Sequence, residues 1–144
     1  MNRALALKRW GLVRRKVSLY AHQVLTEHSV NVQQMLLLFA LNENEALTPG
    51  LLSEITATDP ASVCRSLETL RKQNLILKNV SPTDARKYLI TLTPEGHALC
   101  KELKVLHDSV AQQLFKKLNS KELGYFLNAL DKIEVQVNEA SKIK

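Results

Sequence analysis

The sequence predicts a mainly α-helical fold with a small β-wing, and three observations between residues 47 and 96 predict it. Two short apolar segments each begin on a capping residue followed by proline, Thr48-Pro49 and Asp59-Pro60. Two strand-like runs, Leu75-Ile76-Leu77 and Tyr88-Leu89-Ile90-Thr91-Leu92, enclose the turn chemistry of Ser81-Pro82-Thr83-Asp84. A further pair, Thr93-Pro94, opens another helical pattern. Helix, turn, helix, strand, basic hairpin, strand, helix is the order of a winged helix-turn-helix, a module that sets one helix in the DNA major groove and a hairpin beside it.

The remaining elements follow from apolar spacing. Trp10, Val13, Val17, Tyr20 and Val24 recur every three or four residues and mark one stripe of a first helix from Leu5 to Glu27. Asn31 caps a second helix bearing Met35, Leu38, Phe39 and Leu41, apolar over much of its surface and therefore expected to be buried. Residues 42–46 form a polar break. In the third helix Leu51, Leu52 and Ile55 supply the inner face, and Ala57-Thr58 turns the chain. In the fourth, Val63, Leu67 and Leu70 face inward, which leaves Ser62, Arg65, Ser66 and Thr69 outside. Gln73-Asn74 ends it, since Asn tolerates the left-handed backbone of a helix C-terminus. Leu99, Leu103, Leu106, Val110, Leu114 and Leu118 run down one face of the fifth helix. Ser120 caps the last, with Leu123, Phe126, Leu130, Ile133 and Val137 on one stripe.

The small central module cannot bury the seams of the terminal helices, so they are expected to pack against a second copy. The division expected is 1–30 for an N-terminal dimerisation helix, 31–96 for the winged module and 97–144 for the C-terminal dimerisation helices.

Bulk properties bound the function. At 144 residues and 45% hydrophobic, the chain suits one DNA-binding module with an oligomerisation part and is not wholesale disordered. Its longest apolar run, Met35 to Leu41, is far below the roughly 20 residues that span a bilayer. The N-terminus lacks an apolar block followed by small residues, so no secretory signal is expected. Cys64 and Cys100 have no companions at metal-ligand spacing, which points to the reducing cytosol and to no cofactor or metal. His22, His28, His97 and His107 are scattered, and there is no phosphate loop or Ser–His or Cys–His motif, so an enzyme is not expected.

The net charge of +6 is unevenly spread. Residues 17–64 carry no Lys or Arg, whereas Arg65, Arg71, Lys72, Lys78, Arg86 and Lys87 follow against only Glu68 and Asp84. That basic block coincides with the fourth helix and the hairpin, as a phosphate backbone requires. An earlier run, Arg14-Arg15-Lys16, reads as a solvated face of the first helix.

These residues resemble the MarR family of bacterial transcription regulators along nearly the whole chain. Leu47-Thr48, Leu51-Leu52 and Ile55 look like the family's third-helix opening. Pro60-Ala61-Ser62-Val63-Cys64-Arg65 is similar to its recognition helix, and Asp84-Ala85-Arg86 with Leu92-Thr93 and Gly96 to its wing signature. Ala85 stands where the family often has Arg, Asn74 where it often has Gly, and Cys64 where Thr or Ser is usual.

The resemblance implies a homodimer on double-stranded DNA, most often a repressor at a pseudo-palindromic operator. Pro60, Ala61, Ser62 and Arg65 would lie at the groove, with Arg65 reading guanine O6 and N7. Ser62, Ser66 and Thr69 would contact phosphate or base edges. Arg86 would enter the minor groove, with Asp84 holding it or the wing backbone, and Lys72, Lys78 and Lys87 would meet phosphates. The plain alternative for Arg65 is an intrahelical pair with Glu68 or Thr69. The resemblance also implies a pocket for a small aromatic or anionic ligand, to which Trp10, Tyr20, His22, Met35 and Phe39 are near in principle. Both cysteines read as buried, inert thiols rather than redox sensors. The competing reading of the whole chain is a winged protein-interaction module or anti-regulator without specific DNA binding.

Overall fold

Each helix of the winged module begins where a side chain satisfies the first free backbone N–H groups, and the computed structural model, which describes residues 2–142, places those caps. Helix α1 (Arg3–Val24) starts on Asn2, whose side chain accepts from the Leu5 N–H, two residues earlier than the apolar stripe indicates. It passes into a 3-10 turn, Leu25–Glu27. Helix α2 (Val32–Glu43) opens with a reciprocal box in which Asn31 accepts from the Gln34 N–H while the Gln34 side chain accepts from the Asn31 N–H. Thr48 caps α3 (Pro49–Thr56) and Asp59 caps α4 (Pro60–Lys72), each ahead of a proline.

Both of these helices end in the same way. Ala57 (φ 50°) and Asn74 (φ 60°) adopt the left-handed conformation. After α4, the Asn74 N–H donates to the Arg71 carbonyl and the Leu75 N–H to Leu70. After α3, Ala57 and Thr58 donate to Glu54 and Ser53 in the same pattern. This is the Schellman arrangement, and it reverses the chain at each site.

Strands β1 (Ile76–Val80) and β2 (Tyr88–Leu92) form an antiparallel hairpin with Ile76 opposite Leu92 and Val80 opposite Tyr88. Leu75 lies outside the ladder because its N–H closes α4, and pairing runs on through Lys78 and Asn79. Leu47 adds a one-residue third strand, exchanging both backbone hydrogen bonds with Ile90 and tying the start of α3 to the wing.

The core lies under α2, which packs on α3, α4 and β2. Leu37, Leu38, Leu52, Val63, Leu70, Ile90 and Leu103 are completely buried. Burial of a side chain of this size stabilises by about 1.5–3 kcal/mol. In α3 only Leu52 belongs to this core; Leu51 and Ile55, expected on the inner face, are 45% and 53% exposed. A helix of two turns offers a narrow contact stripe, and Leu52 occupies it.

Helix α5 (Pro94–Phe115) starts on Thr93 and ends before Leu118, which lies in the following turn and donates to the Phe115 carbonyl. The expected stripe therefore stops at Leu114. Helix α6 (Ser120–Lys142) is capped by Asn119, not by Ser120: Asn119 accepts from the Glu122 N–H and the Glu122 carboxylate accepts from the Asn119 N–H. Ser120 is the first helical residue. Residues up to Val105 form one compact unit and those from Leu106 a second, in which the rings of Phe115 and Phe126 meet at 5.8 Å.

Candidate nucleic-acid interface

Helix α4 divides its residues by spacing. Val63, Ser66, Leu67 and Leu70 face the core, so Ser66, expected outside, is only 7% exposed. It sits three residues after Val63 and four before Leu70, inside their stripe, where it has no access to DNA. Pro60, Ala61, Arg65, Thr69 and Lys72 are exposed, and Ser62 is half-buried at the edge.

The Arg65 guanidinium bonds to neither of its expected partners. Its Nη2 donates to the Ser62 hydroxyl at 3.0 Å, and the Thr69 hydroxyl donates to the Arg65 backbone carbonyl at 3.2 Å. Glu68 instead takes Arg71, whose Nε and Nη2 reach its two carboxylate oxygens at 3.0 and 2.7 Å. This fork holds the Glu68 pKa below its ordinary value and raises that of Arg71. The pair neutralises Glu68, the one acid within α4 itself, a role that the i, i+3 spacing of Glu68 and Arg71 could have signalled.

The wing is organised by Asp84. One carboxylate oxygen accepts from the Arg86 backbone N–H at 3.0 Å and from the Arg86 Nε at 3.2 Å. Those bonds, backbone first, hold the Asp84 pKa below the usual carboxylate range, with the Lys87 charge adding to them. The Arg86 side chain is 91% exposed, so only this contact directs it. The hairpin tip closes through Ser81 N–H to the Lys87 carbonyl and Lys87 N–H to the Asp84 carbonyl. Lys78 lies over the Tyr88 ring at 4.4 Å, a cation–π contact that the register Val80 opposite Tyr88 makes available. A groove between Thr48, Leu51 and Glu54 on one side and Arg86, Lys87 and Tyr88 on the other sets the tip end of the wing beside α3 and its cap.

Elsewhere in the same unit, a cavity of about 320 Å³ opens where α1 meets α2. Of the five residues expected near a ligand, only His22 lines it; Met35 is in the core and Trp10 is 41% exposed. Cys100 is buried as expected, with its thiol donating to the Leu38 carbonyl, and burial pushes its pKa up. Cys64 is exposed, which corrects the expectation of a buried thiol there, because its position on α4 lies off the Val63–Leu70 stripe. Among the described residues no cluster of His, Cys, Asp or Glu could hold a metal, and no helix is long and apolar enough to cross a membrane.

Comparison with known proteins bears directly on this site. The family described as MarR family matches residues 28–87, the span from the turn before α2 through β1 to the end of the wing loop, just short of β2. An uncharacterized HTH-type transcriptional regulator of Bacillus subtilis, YhbI, is 31% identical over 102 residues, covering 71% of this chain and 66% of that protein. The structure of Bordetella bronchiseptica BpsR, described with regulation of its DNA binding by 6-hydroxynicotinic acid, superposes with a TM-score of 0.82 at 27% identity over 92% of this chain and 93% of that one. A mutant MarR from E. coli complexed with operator DNA has the same fold, with a TM-score of 0.82 at 24% identity, covering 92% of this chain and 96% of that one.

Proposed function

The chain belongs to the MarR family of transcriptional regulators, and from that premise we propose that it binds a pseudo-palindromic operator as a homodimer and acts as a repressor. The observation that carries this reading is the pairing of an outward α4 face bearing Arg65, Thr69 and Lys72 with a wing whose exposed Arg86 is aimed by Asp84. Ala61 and Pro60, small and exposed at the start of α4, let the backbone approach base edges closely. Arg65 reads guanine, Arg86 enters the adjacent minor groove, and Lys72, Lys78 and Lys87 meet phosphates.

Support for a dimer comes from unburied apolar surface on the terminal helices. On α1, Trp10, Val13 and Val17 are 41%, 49% and 38% exposed; on α6, Phe126, Ile133 and Val137 are 40%, 38% and 55% exposed. Such stripes are costly to leave in water and fit a second copy of the same chain. BpsR is regulated by a small aromatic acid, and a small aromatic or anionic effector is the proposed ligand class here as well.

Selection of bound sequences from a random duplex pool, followed by salt titration on the winner, tests the reading. The expected product is an inverted repeat with half-sites about one helical turn apart and an affinity that falls steeply with salt. No enrichment, with weak binding to any duplex, would replace it with a winged protein-interaction module.

A further inference from the structure

We propose that α1 carries, apart from the stripe expected to meet a second copy, a docking row for an acidic amphipathic helix of another protein. The row is Leu5, Leu12 and Leu19, which are 55%, 52% and 57% exposed. They stand seven residues apart, close to two turns of helix, so they fall on one narrow line. Lys8 and Arg9 follow Leu5 by three and four residues, and Arg15 and Lys16 follow Leu12 in the same way. Residues three and four apart are neighbours on a helix surface, so each gap between leucines holds two cations. All four cations are exposed, and among the described residues none is in an ion pair.

This row is not the face on which α1 rests. Near the end of the helix Tyr20 and Val24 are half-buried, while the adjacent Leu19 is open. Tyr20 and Val24 continue the stripe of Trp10, Val13 and Val17. At about 100° per residue, the leucine row lies about a third of a turn away from that stripe. Packing on the Trp10 stripe does not need the leucine row.

The chemistry of the row selects its occupant. Leucine at every seventh residue is the knob spacing of a helical partner. A membrane surface would need a broad apolar face, and here cations border a row one residue wide. DNA phosphates would use the cations and leave three exposed leucines without a role. The same row on a second copy is opposed by sign, because cations would face cations. Within residues 1–144 no leucine is followed by acids at both the third and fourth places, so no segment of this sequence supplies the complement. The occupant is therefore a helix of different sequence, with leucine at heptad spacing and Asp or Glu beside each one to meet Lys8, Arg9, Arg15 and Lys16.

The test uses the full chain and a labelled synthetic helix with leucine at every seventh residue and glutamate at the third and fourth places after each. Fluorescence anisotropy should show saturable binding that weakens as salt rises, and none to the same helix with lysine in place of glutamate. Leu12→Gln keeps helix propensity and removes the central anchor, so it should weaken binding about tenfold. The variant should keep its operator affinity and its sedimentation as a dimer. No binding at about 100 μM, or equal binding by Leu12→Gln, overturns the docking row. Tighter binding to phosphatidylglycerol vesicles than to the helix would assign the cations to a lipid surface and overturn it too. So would a loss of affinity for unrelated duplex in Arg15→Glu with Lys16→Glu, which would give those cations to DNA. If Leu12→Gln separates into monomers, the row belongs to the homodimer, and the proposal fails while the dimeric operator reading stands.

Discussion

The Thr93 hydroxyl donates to the Asn74 carbonyl at 2.7 Å across the whole wing, while its oxygen accepts from the Gly96 N–H at 3.0 Å. One side chain thus closes the end of α4 and opens α5, and it does so at 4% exposure. Thr93→Val keeps the shape and strands the Asn74 carbonyl and the buried Gly96 N–H. It should cost about 1–3 kcal/mol of stability, read from urea unfolding with an unchanged m-value. A loss below about 0.5 kcal/mol would mean that water replaces the hydroxyl.

Gly96 is required by the same junction. A Cβ there would overlap the Leu75 carbonyl oxygen, which is already held by the Thr93 N–H at 3.1 Å. Backbone cannot yield as a side-chain end can, so Gly96→Ala should destabilise by about 1–3 kcal/mol. Gly11 and Gly124 have open space around the Cβ position, and alanine at either should be tolerated without that loss.

Arg86→Ala should weaken operator binding several-fold and reduce the slope of log affinity against log salt by about one, with no fall in thermal stability. The side chain is almost fully exposed and bonds only at Asp84, so folding does not depend on it. Unchanged affinity would remove the wing from the binding surface.

Ala57 sits at φ 50°, where a Cβ is strained. Ala57→Gly should therefore raise stability by about 1 kcal/mol, visible as a higher urea midpoint. Lower stability in this variant would show that the α3 end is held by something other than its backbone turn.

Thiol labelling of the folded free protein should modify Cys64 and spare Cys100 until the chain unfolds, as mass spectrometry of the labelled peptides would show. The pH dependence follows from the direction of each shift. Burial holds the Cys100 pKa above 9.0, so the unfolded chain loses this proton first and stability falls as pH rises beyond 9.0. The Asp59 and Asp84 pKa values lie below 3.8, so their contribution is present above that pH and is lost as acid takes the solution down through the lowered values. Labelling of Cys100 as fast as Cys64 in the folded chain would contradict the burial on which the alkaline limb depends.

Most of the element order was legible because its signals are local. Asn31, Thr48, Asp59 and Thr93 cap the helices they precede, Asn74 takes the left-handed turn, and β2 spans Tyr88–Leu92 as its composition indicates. The caps rest on a side chain meeting backbone within about four residues, and the Asn74 turn and the β2 run on the residue types present, all of which the order of residues alone specifies. The Asp84–Arg86 contact was legible for the same reason.

Tertiary packing decided what lies beyond that range. Polar character placed Ser66 outside, yet α4 turns it inward because the stripe set by Val63 and Leu70 includes its position. Apolar character placed Leu51 and Ile55 inside, yet only Leu52 meets α2 and α4 closely enough to be buried. The Leu47–Ile90 bridge joins residues 43 apart in sequence, and the Gly96–Leu75 approach needs the wing to have folded back. Caps and turns are written in neighbouring residues, but burial is a property of the surface brought against a residue, and that surface exists only once the elements have packed.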